Sequence, residues 1–262
     1  MCYDDDARPP LPPIRGAAGD AGPITLDASD GTKVAAYAAR AEQPGGAGMV
    51  ILPDVRGLHP FFEELALRFA EAGIHAVAID YFSRTAGTGR RPEGFEYEPH
   101  VTQLQAAGIQ ADIAAAVAFL RSADGGAAER AYTVGFCIGG RISFVQAATQ
   151  EGLAGVIGFY GWPIGEHRSG LPSPAALAER MTAKVLALWG GADRGIGPEV
   201  VAEFERALQT AGVEHQSITY PDAPHSFFDR KATEFANESE DAWRQMLDFV
   251  AADGWGGPLP RS

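Results

Sequence analysis

Residues 131–144 read A-Y-T-V-G-F-C-I-G-G-R-I-S-F, and this stretch decides the fold. It begins as a short apolar run typical of a buried strand and continues, after Cys137, with a helical pattern. A strand that enters a helix through G-x-C-x-G-G holds the cysteine on a sharp, strained turn. Gly135 and Gly139 leave room where strand and helix cross closely. The stretch therefore predicts an exposed sulfur at Cys137.

The helix that follows Cys137 predicts a reactive thiol. A helix N-terminus favours the thiolate over the thiol, and the N–H of Ile138 would point at a developing oxyanion. The alternative is a buried packing cysteine, which is the more frequent role of a lone cysteine in an apolar setting. The turn around Cys137 favours the nucleophile.

The rest of the chain alternates short apolar runs with longer helical patterns. Residues 24–39 predict a β-hairpin, with a D-G turn at Asp30 and Gly31. From Gly48 onward the strand-helix-strand rhythm predicts a parallel sheet covered on both faces. The later elements are expected as helices at 104–122, from 139, at 198–211 and at 232–251, and as strands at 131–136, 155–159, 185–189 and 217–220.

Two further residues lie where strands of this sheet are expected to end. Asp193 follows V-L-A-L-W, and His225 comes shortly after S-I-T-Y. Active sites assemble at the carboxyl ends of parallel strands, and the order nucleophile, acid, base is the one that accompanies such a turn. We therefore expect His225 to move the thiol proton and Asp193 to orient the imidazole. A turn-capping aspartate and a surface histidine are the alternatives.

Composition limits the class of protein. A chain of 262 residues with 46% apolar content suits one domain, here expected over 23–262 after an extended arm at 1–22. The net charge of −13 argues against nucleic acid and anionic membranes as partners. Two cysteines give neither a disulfide framework nor a metal site, and Cys2 is expected to be a bystander. The acidic, proline-rich N-terminus differs from a secretory signal, so a cytoplasmic protein is expected.

The motifs G-F-C-I-G-G, G-G-A-D, P-H-S-F, D-Y-F-S-R-T-A-G and F-Y-G together resemble the dienelactone hydrolase family, over nearly the whole chain from Ile24. The resemblance implies an α/β-hydrolase fold with a mostly parallel central sheet and helices on both faces. It also implies hydrolysis of lactone or ester bonds in small acidic substrates through a cysteine acyl-enzyme, without metal or cofactor. The partner would be that small molecule, and the family leans towards a monomer or a weak homo-oligomer.

The resemblance also assigns roles to the loop L-P-D-V-R-G-L at 52–58. The N–H of Val55 would be the second oxyanion donor. Asp54 stands where well-characterised family members have a glutamate that contacts the resting thiol and changes partner when substrate binds. Aspartate is one methylene shorter than that glutamate. Arg56 is expected either to pair with Asp54 or Glu63 or to face the substrate.

Other substrate-binding positions follow from the same resemblance. Arg84 matches a family arginine that holds the substrate carboxylate, and a planar guanidinium suits that group. Arg230 lies within about one residue of a second such arginine. Tyr160 and Trp162 are candidates for an aromatic wall, although aromatic residues at a strand end more often belong to the core. An ordinary surface arginine is the alternative for Arg84.

Two rival functions remain open at this point. A general carboxylesterase or thioesterase would use the same three residues on neutral substrates. A non-catalytic relative would bind a small ligand or a partner without turnover, because order in sequence does not establish contact in space.

Overall fold

The computed structural model describes residues 7–11, 16–92 and 94–253. Its strands are β1 (Ala18–Asp27), β2 (Lys33–Ala41), β3 (Ala47–Leu52), β4 (His75–Ile79), β5 (Arg130–Phe136), β6 (Gly155–Phe159), β7 (Lys184–Gly190) and β8 (His215–Tyr220). Its α-helices are α1 (Pro60–Glu71), α2 (Ser83–Ala86), α3 (Glu98–Val101), α4 (Ala106–Arg121), α5 (Ile138–Gln146), α6 (Pro198–Thr210) and α7 (Ala236–Ala251), with a 3-10 helix at Ala175–Arg180. Cys2, part of the arm predicted for 1–22 and the C-terminal G-G-P-L-P segment lie outside the described residues.

The eight strands form one sheet in the order β1-β2-β4-β3-β5-β6-β7-β8. Strands β1 and β2 are antiparallel to their neighbours, and every pair from β3 and β4 to β7 and β8 is parallel. Two apolar cores cover the two faces, as a sheet with helices on both sides requires. The predicted fold class is confirmed. Within the described ranges, no helix is long and apolar enough to cross a bilayer.

Sheet register brings the loops of the site together. Leu52 at the end of β3 pairs with Gly135, and Phe136 at the end of β5 pairs with Phe159 of β6. The carboxyl ends of the parallel strands therefore share one edge of the sheet. The loop after β3 and the turn after β5 meet at this edge, together with the loops after β7 and β8.

The hairpin begins earlier than the sequence pattern indicates. Strand β1 starts at Ala18, inside the segment predicted as an arm, and Ala18 pairs with Ala41 across an irregularity in register. The Gly- and Asp-containing segment at 18–22 has no apolar periodicity, but pairing with β2 is made by backbone groups and needs none. Position at the sheet edge leaves its polar side chains in solvent.

Candidate active site

Close contacts between backbone atoms determine the shape of the turn between β5 and α5. Cys137 has φ 55° and ψ −117°, a conformation that side chains rarely adopt, and its N–H donates to the carbonyl oxygen of Phe159 at 3.1 Å. A Cβ atom on Gly135 would lie 1.9 Å from the carbonyl oxygen of Gly139. A Cβ on Gly139 would lie 2.1 Å from the carbonyl oxygen of Leu52. Only glycine fits at either position, and the crossing projects the thiol out of the sheet edge.

The structure brings Cys137, His225 and Asp193 together. Cys137 and His225 line the same pocket, and His225 Nδ1 lies 2.6 Å from Oδ2 of Asp193. Asp193 is buried, and its Oδ1 accepts from the N–H groups of Gly195 at 2.8 Å and Ile196 at 3.3 Å. The aspartate is thereby held by its own loop while it orients the imidazole.

The surroundings of His225 favour its protonated form. Burial lowers the pKa of His225, but Cys137 and Asp193 outweigh burial and raise it well above its usual value. Burial likewise opposes ionisation of Asp193, and its bonds to His225 and to the loop N–H groups nevertheless lower its pKa. A protonated imidazole beside the sulfur can stabilise a thiolate and can later supply a proton to a leaving group.

Two backbone N–H groups are available for an oxyanion at the same place. Val55 and Ile138 both line the pocket that contains Cys137. In the described part of the chain neither N–H has a hydrogen-bond acceptor. Asp54 holds the loop around Val55, because its Oδ1 accepts the backbone N–H of Arg56 at 2.9 Å. The Tyr81 hydroxyl fixes the loop by donating to the carbonyl oxygen of Pro53 at 2.7 Å.

The pocket over the thiol is small, with a volume of about 160 Å³. Tyr160 lies against the site, with its ring centroid 4.9 Å from that of His225. Among the described residues, no group of three or more His, Cys, Asp or Glu side chains could hold a metal ion. The residues that line the pocket are Val55, Cys137, Ile138, Arg141, Tyr160, Trp162, His167, Arg168, Gly195, Ile196 and His225.

Residues 34–253 match the model of the dienelactone hydrolase family. The chain belongs to the dienelactone hydrolase family. It is 30% identical over 240 residues to the "Putative carboxymethylenebutenolidase" of Salmonella typhimurium, covering 88% of this chain and 87% of the relative. A relative of the same name from Escherichia coli O157:H7 is 31% identical, covering 86% of this chain and 85% of the relative.

A solved structure supports the same assignment. The crystal structure of a "Putative Dienelactone Hydrolase" from Klebsiella pneumoniae superposes with a TM-score of 0.78 at 28% identity, covering 88% of this chain and 98% of that chain. This member of the dienelactone hydrolase family is accordingly a hydrolase that acts on ester or lactone bonds.

Asp54 in this family member is held by arginines. Its Oδ2 accepts from Nε and Nη2 of Arg230, both at 2.9 Å, and Arg56 Nε lies 3.1 Å from each of its oxygens. Burial raises the pKa of Asp54, but the two arginines outweigh burial and lower it. The carboxylate makes no hydrogen bond to Cys137 in the described structure. The structure thus shows Asp54 engaged with Arg56 and Arg230 and not with the thiol.

A second buried carboxylate completes this cluster. Asp229 accepts from the Tyr160 hydroxyl at 2.6 Å and from Nη2 of Arg56 at 3.0 Å. Burial and the nearby charge of Asp54 raise the pKa of Asp229 to about 6. Asp54, Arg56, Asp229, Arg230 and Tyr160 are hereafter called the buried ion cluster. Arg56 and Arg230 also line a neighbouring cavity of about 810 Å³ and do not line the thiol pocket.

Arg84 lies outside the thiol pocket. Its Nη2 donates to the buried Asp112 at 2.7 Å, and its Nη1 donates to Asp30 at 2.6 Å. A Cβ on Gly108 of α4 would lie 2.9 Å from Arg84 Nε, so the guanidinium is packed against that helix. The structure therefore places the charge of Arg84 against two aspartates and not beside Cys137.

Sequence reasoning missed other residues that line the pocket. Arg141 lies four residues after the nucleophile in a helix that is buried almost throughout, and a charge at such a position is a signal that could have been used. His167 and Arg168 lie in the Gly-, Pro- and Ser-containing segment at 165–174, which follows β6 and precedes the 3-10 helix. No local pattern there indicates which side chains turn inward.

Proposed function

We propose that this enzyme hydrolyses small, carboxylate-bearing lactones or esters through a Cys137 acyl-enzyme. The observation that carries the proposal is that one pocket holds Cys137, His225 with its bond to Asp193, and two N–H groups that have no acceptor among the described residues. This is the geometry that nucleophilic acyl transfer needs. The free thiol it requires suits a reducing compartment such as the cytoplasm.

Acylation begins with attack of the Cys137 thiolate on the substrate carbonyl carbon. The new C–S bond moves the carbonyl electron pair onto oxygen, and the N–H groups of Val55 and Ile138 donate to that oxyanion. Collapse of the intermediate breaks the C–O bond of the ester or lactone. The leaving oxygen takes the proton of the His225 imidazolium, and a thioester remains on Cys137.

Deacylation uses the imidazole that acylation leaves neutral. His225 accepts a proton from water as the water oxygen attacks the thioester carbon. The second oxyanion occupies the same two donors, and its collapse breaks the C–S bond. The carboxylic acid product departs, and the thiolate and imidazolium are restored. Asp193 stabilises the positive form of His225 in both steps.

Pocket size and the relatives support the substrate class. A volume of about 160 Å³ corresponds to roughly five waters at about 30 Å³ each, so the pocket suits a small substrate. The relatives are named putative carboxymethylenebutenolidases, and that name refers to an enzyme whose substrate is a lactone with a carboxyl group. A general esterase acting on neutral substrates is the rival that the experiment must separate.

The test is a steady-state assay of a dienelactone and of a neutral p-nitrophenyl ester with wild type and Cys137→Ala. We expect turnover of the dienelactone, with a loss of kcat in the variant on the order of 10⁴-fold or more. Thermal unfolding should show that Cys137→Ala stays folded. Retained activity in the variant would refute the acyl-enzyme, and turnover of the neutral ester alone would establish the general esterase.

A further inference from the structure

The thiol pocket has an unusual charge balance for so acidic a protein. Of the residues that the structure describes, two arginines, Arg141 and Arg168, line it, and no aspartate or glutamate does. The chain as a whole carries a formal net charge of −13. A concave site with fixed cations and no acid on its walls attracts anions. The charge of the pocket therefore opposes that of the protein.

Arg141 is a buried cation without a carboxylate partner in the described part of the chain. It is 1% exposed, and its four terminal N–H bonds are directed at carbonyl oxygens. Nη1 donates to Trp162 at 2.8 Å and to Ile164 at 3.3 Å, and Nη2 donates to Gly165 and Leu171, both at 2.9 Å. Arg141 thus fixes the segment from Trp162 to Leu171, hereafter the pocket loop, and leaves its own charge uncompensated.

Arg168 is the cation that the pocket loop carries. Its side chain is 48% exposed, and Nη1 lies 2.6 Å from Oε1 of Glu98 on α3. Glu98 is itself 56% exposed, so this ion pair lies in solvent, where such pairs contribute little. A substrate carboxylate in the pocket can share or replace Glu98 at low cost. Arg168 is therefore accessible to a ligand, whereas Arg84 is enclosed by Asp112 and Asp30.

We propose that Arg168, positioned by the Arg141-anchored pocket loop, binds the substrate carboxylate in this enzyme, in place of Arg84. The proposal rests on the proposed function, because it names the residue that recognises the acidic group of that substrate. Arg168 acts directly on the ligand. Arg141 is a positioning residue whose fixed charge adds to the attraction.

The experiment compares two alkylating reagents that differ in charge. Iodoacetate and iodoacetamide transfer similar groups to a thiol, but only iodoacetate carries a carboxylate. The rate ratio of the two reagents is measured at Cys137 by peptide mass spectrometry on the full chain and divided by the ratio for glutathione. This preference ratio needs no catalytic turnover, so it remains measurable even when the proposed function fails.

Opposite changes are expected from two variants. Arg168→Gln should lower the preference ratio about fivefold, because it removes the charged hydrogen-bond donor. Glu98→Gln should raise the ratio, because it releases Arg168 from its competing carboxylate. Arg244→Gln is the matched control on α7, where the exposed Arg244 pairs with Asp241, and should leave the ratio unchanged. An unchanged ratio in Arg168→Gln, or a loss in Arg84→Gln instead, would overturn the proposal.

Substrate kinetics give a second measurement. For mono-p-nitrophenyl glutarate, Arg168→Gln should raise KM about tenfold with little change in kcat, while p-nitrophenyl valerate stays within twofold. Arg141→Lys keeps the charge but cannot reach four carbonyl oxygens, so it should weaken the acidic substrate more than the neutral one. Equal losses on both substrates would show that the two arginines serve the fold alone. Absence of turnover on both esters in wild type, with a preference ratio that depends on Arg168, would reject the proposed function and retain the carboxylate subsite.

Discussion

The thiol pocket and the buried ion cluster are neighbours that differ in how their arginines are paired. In the buried ion cluster two arginines face two carboxylates, Asp54 and Asp229, and every one of these four side chains is bonded to another. In the thiol pocket, as far as the described residues go, Arg141 donates to carbonyl oxygens alone and Arg168 pairs with a solvent-exposed glutamate. Removing one partner of a buried ion pair destabilises the fold strongly. A charged group that has no buried partner of opposite charge can instead bind a ligand.

This difference changes the roles expected for arginine from family resemblance. Arg56 and Arg230 are engaged with Asp54, in the loop that follows β3. We expect the buried ion cluster to stabilise the loop after β3, and Arg141 and Arg168 to serve the recognition of the substrate carboxylate. The predictions below test that separation, beginning with the largest effect.

Asp193→Asn tests the thiol pocket most severely. The amide would present a donor where His225 Nδ1–H needs an acceptor, so the imidazole would lose its working tautomer. We expect kcat to fall on the order of 10²–10⁴-fold with KM little changed. Asp222→Asn, an exposed change in the loop that carries His225, is the control and should retain activity. Loss of less than twofold in Asp193→Asn would remove Asp193 from the mechanism.

Asp54→Asn tests the buried ion cluster. It would leave Arg56 and Arg230 with one carboxylate between them, and breaking a buried ion pair costs roughly 3–5 kcal/mol of unfolding free energy. The exposed pair of Lys33 and Asp27 offers a control, because Asp27→Asn should cost less than about 1 kcal/mol. Urea denaturation monitored by circular dichroism measures both. Similar small losses in the two variants would show that the cluster is not a stabilising unit.

The pH dependence of Cys137 alkylation tests the ion pair with His225. Because the pKa of His225 is raised, the imidazolium persists at neutral pH and stabilises the thiolate there. At pH 6 wild type should react with iodoacetamide about tenfold faster than His225→Gln, which has no imidazolium beside the sulfur. The two rates should converge at high pH, where the imidazolium of wild type has lost its proton. Identical profiles at all pH values would show that His225 does not activate the sulfur.

The fold and the residues Cys137, Asp193 and His225 could be predicted because each is marked by a short, continuous stretch of sequence. The apolar run before Cys137 and the glycines around it form one continuous motif, and strand ends placed Asp193 and His225 at the same sheet edge. The charge pairings could not be predicted, because they join distant segments. Arg84 meets Asp112 on α4, and Arg230 meets Asp54 across most of the chain.

The backbone crossing under Cys137 has a consequence for protein engineering. Gly135 and Gly139 meet main-chain oxygens of their neighbours, so the frame of the turn makes no use of the sulfur atom. The reactive element at position 137 can therefore be exchanged for oxygen in serine or for selenium in selenocysteine while the scaffold keeps its shape. Such a series of variants would change the reacting atom at position 137 while the backbone around it stays the same.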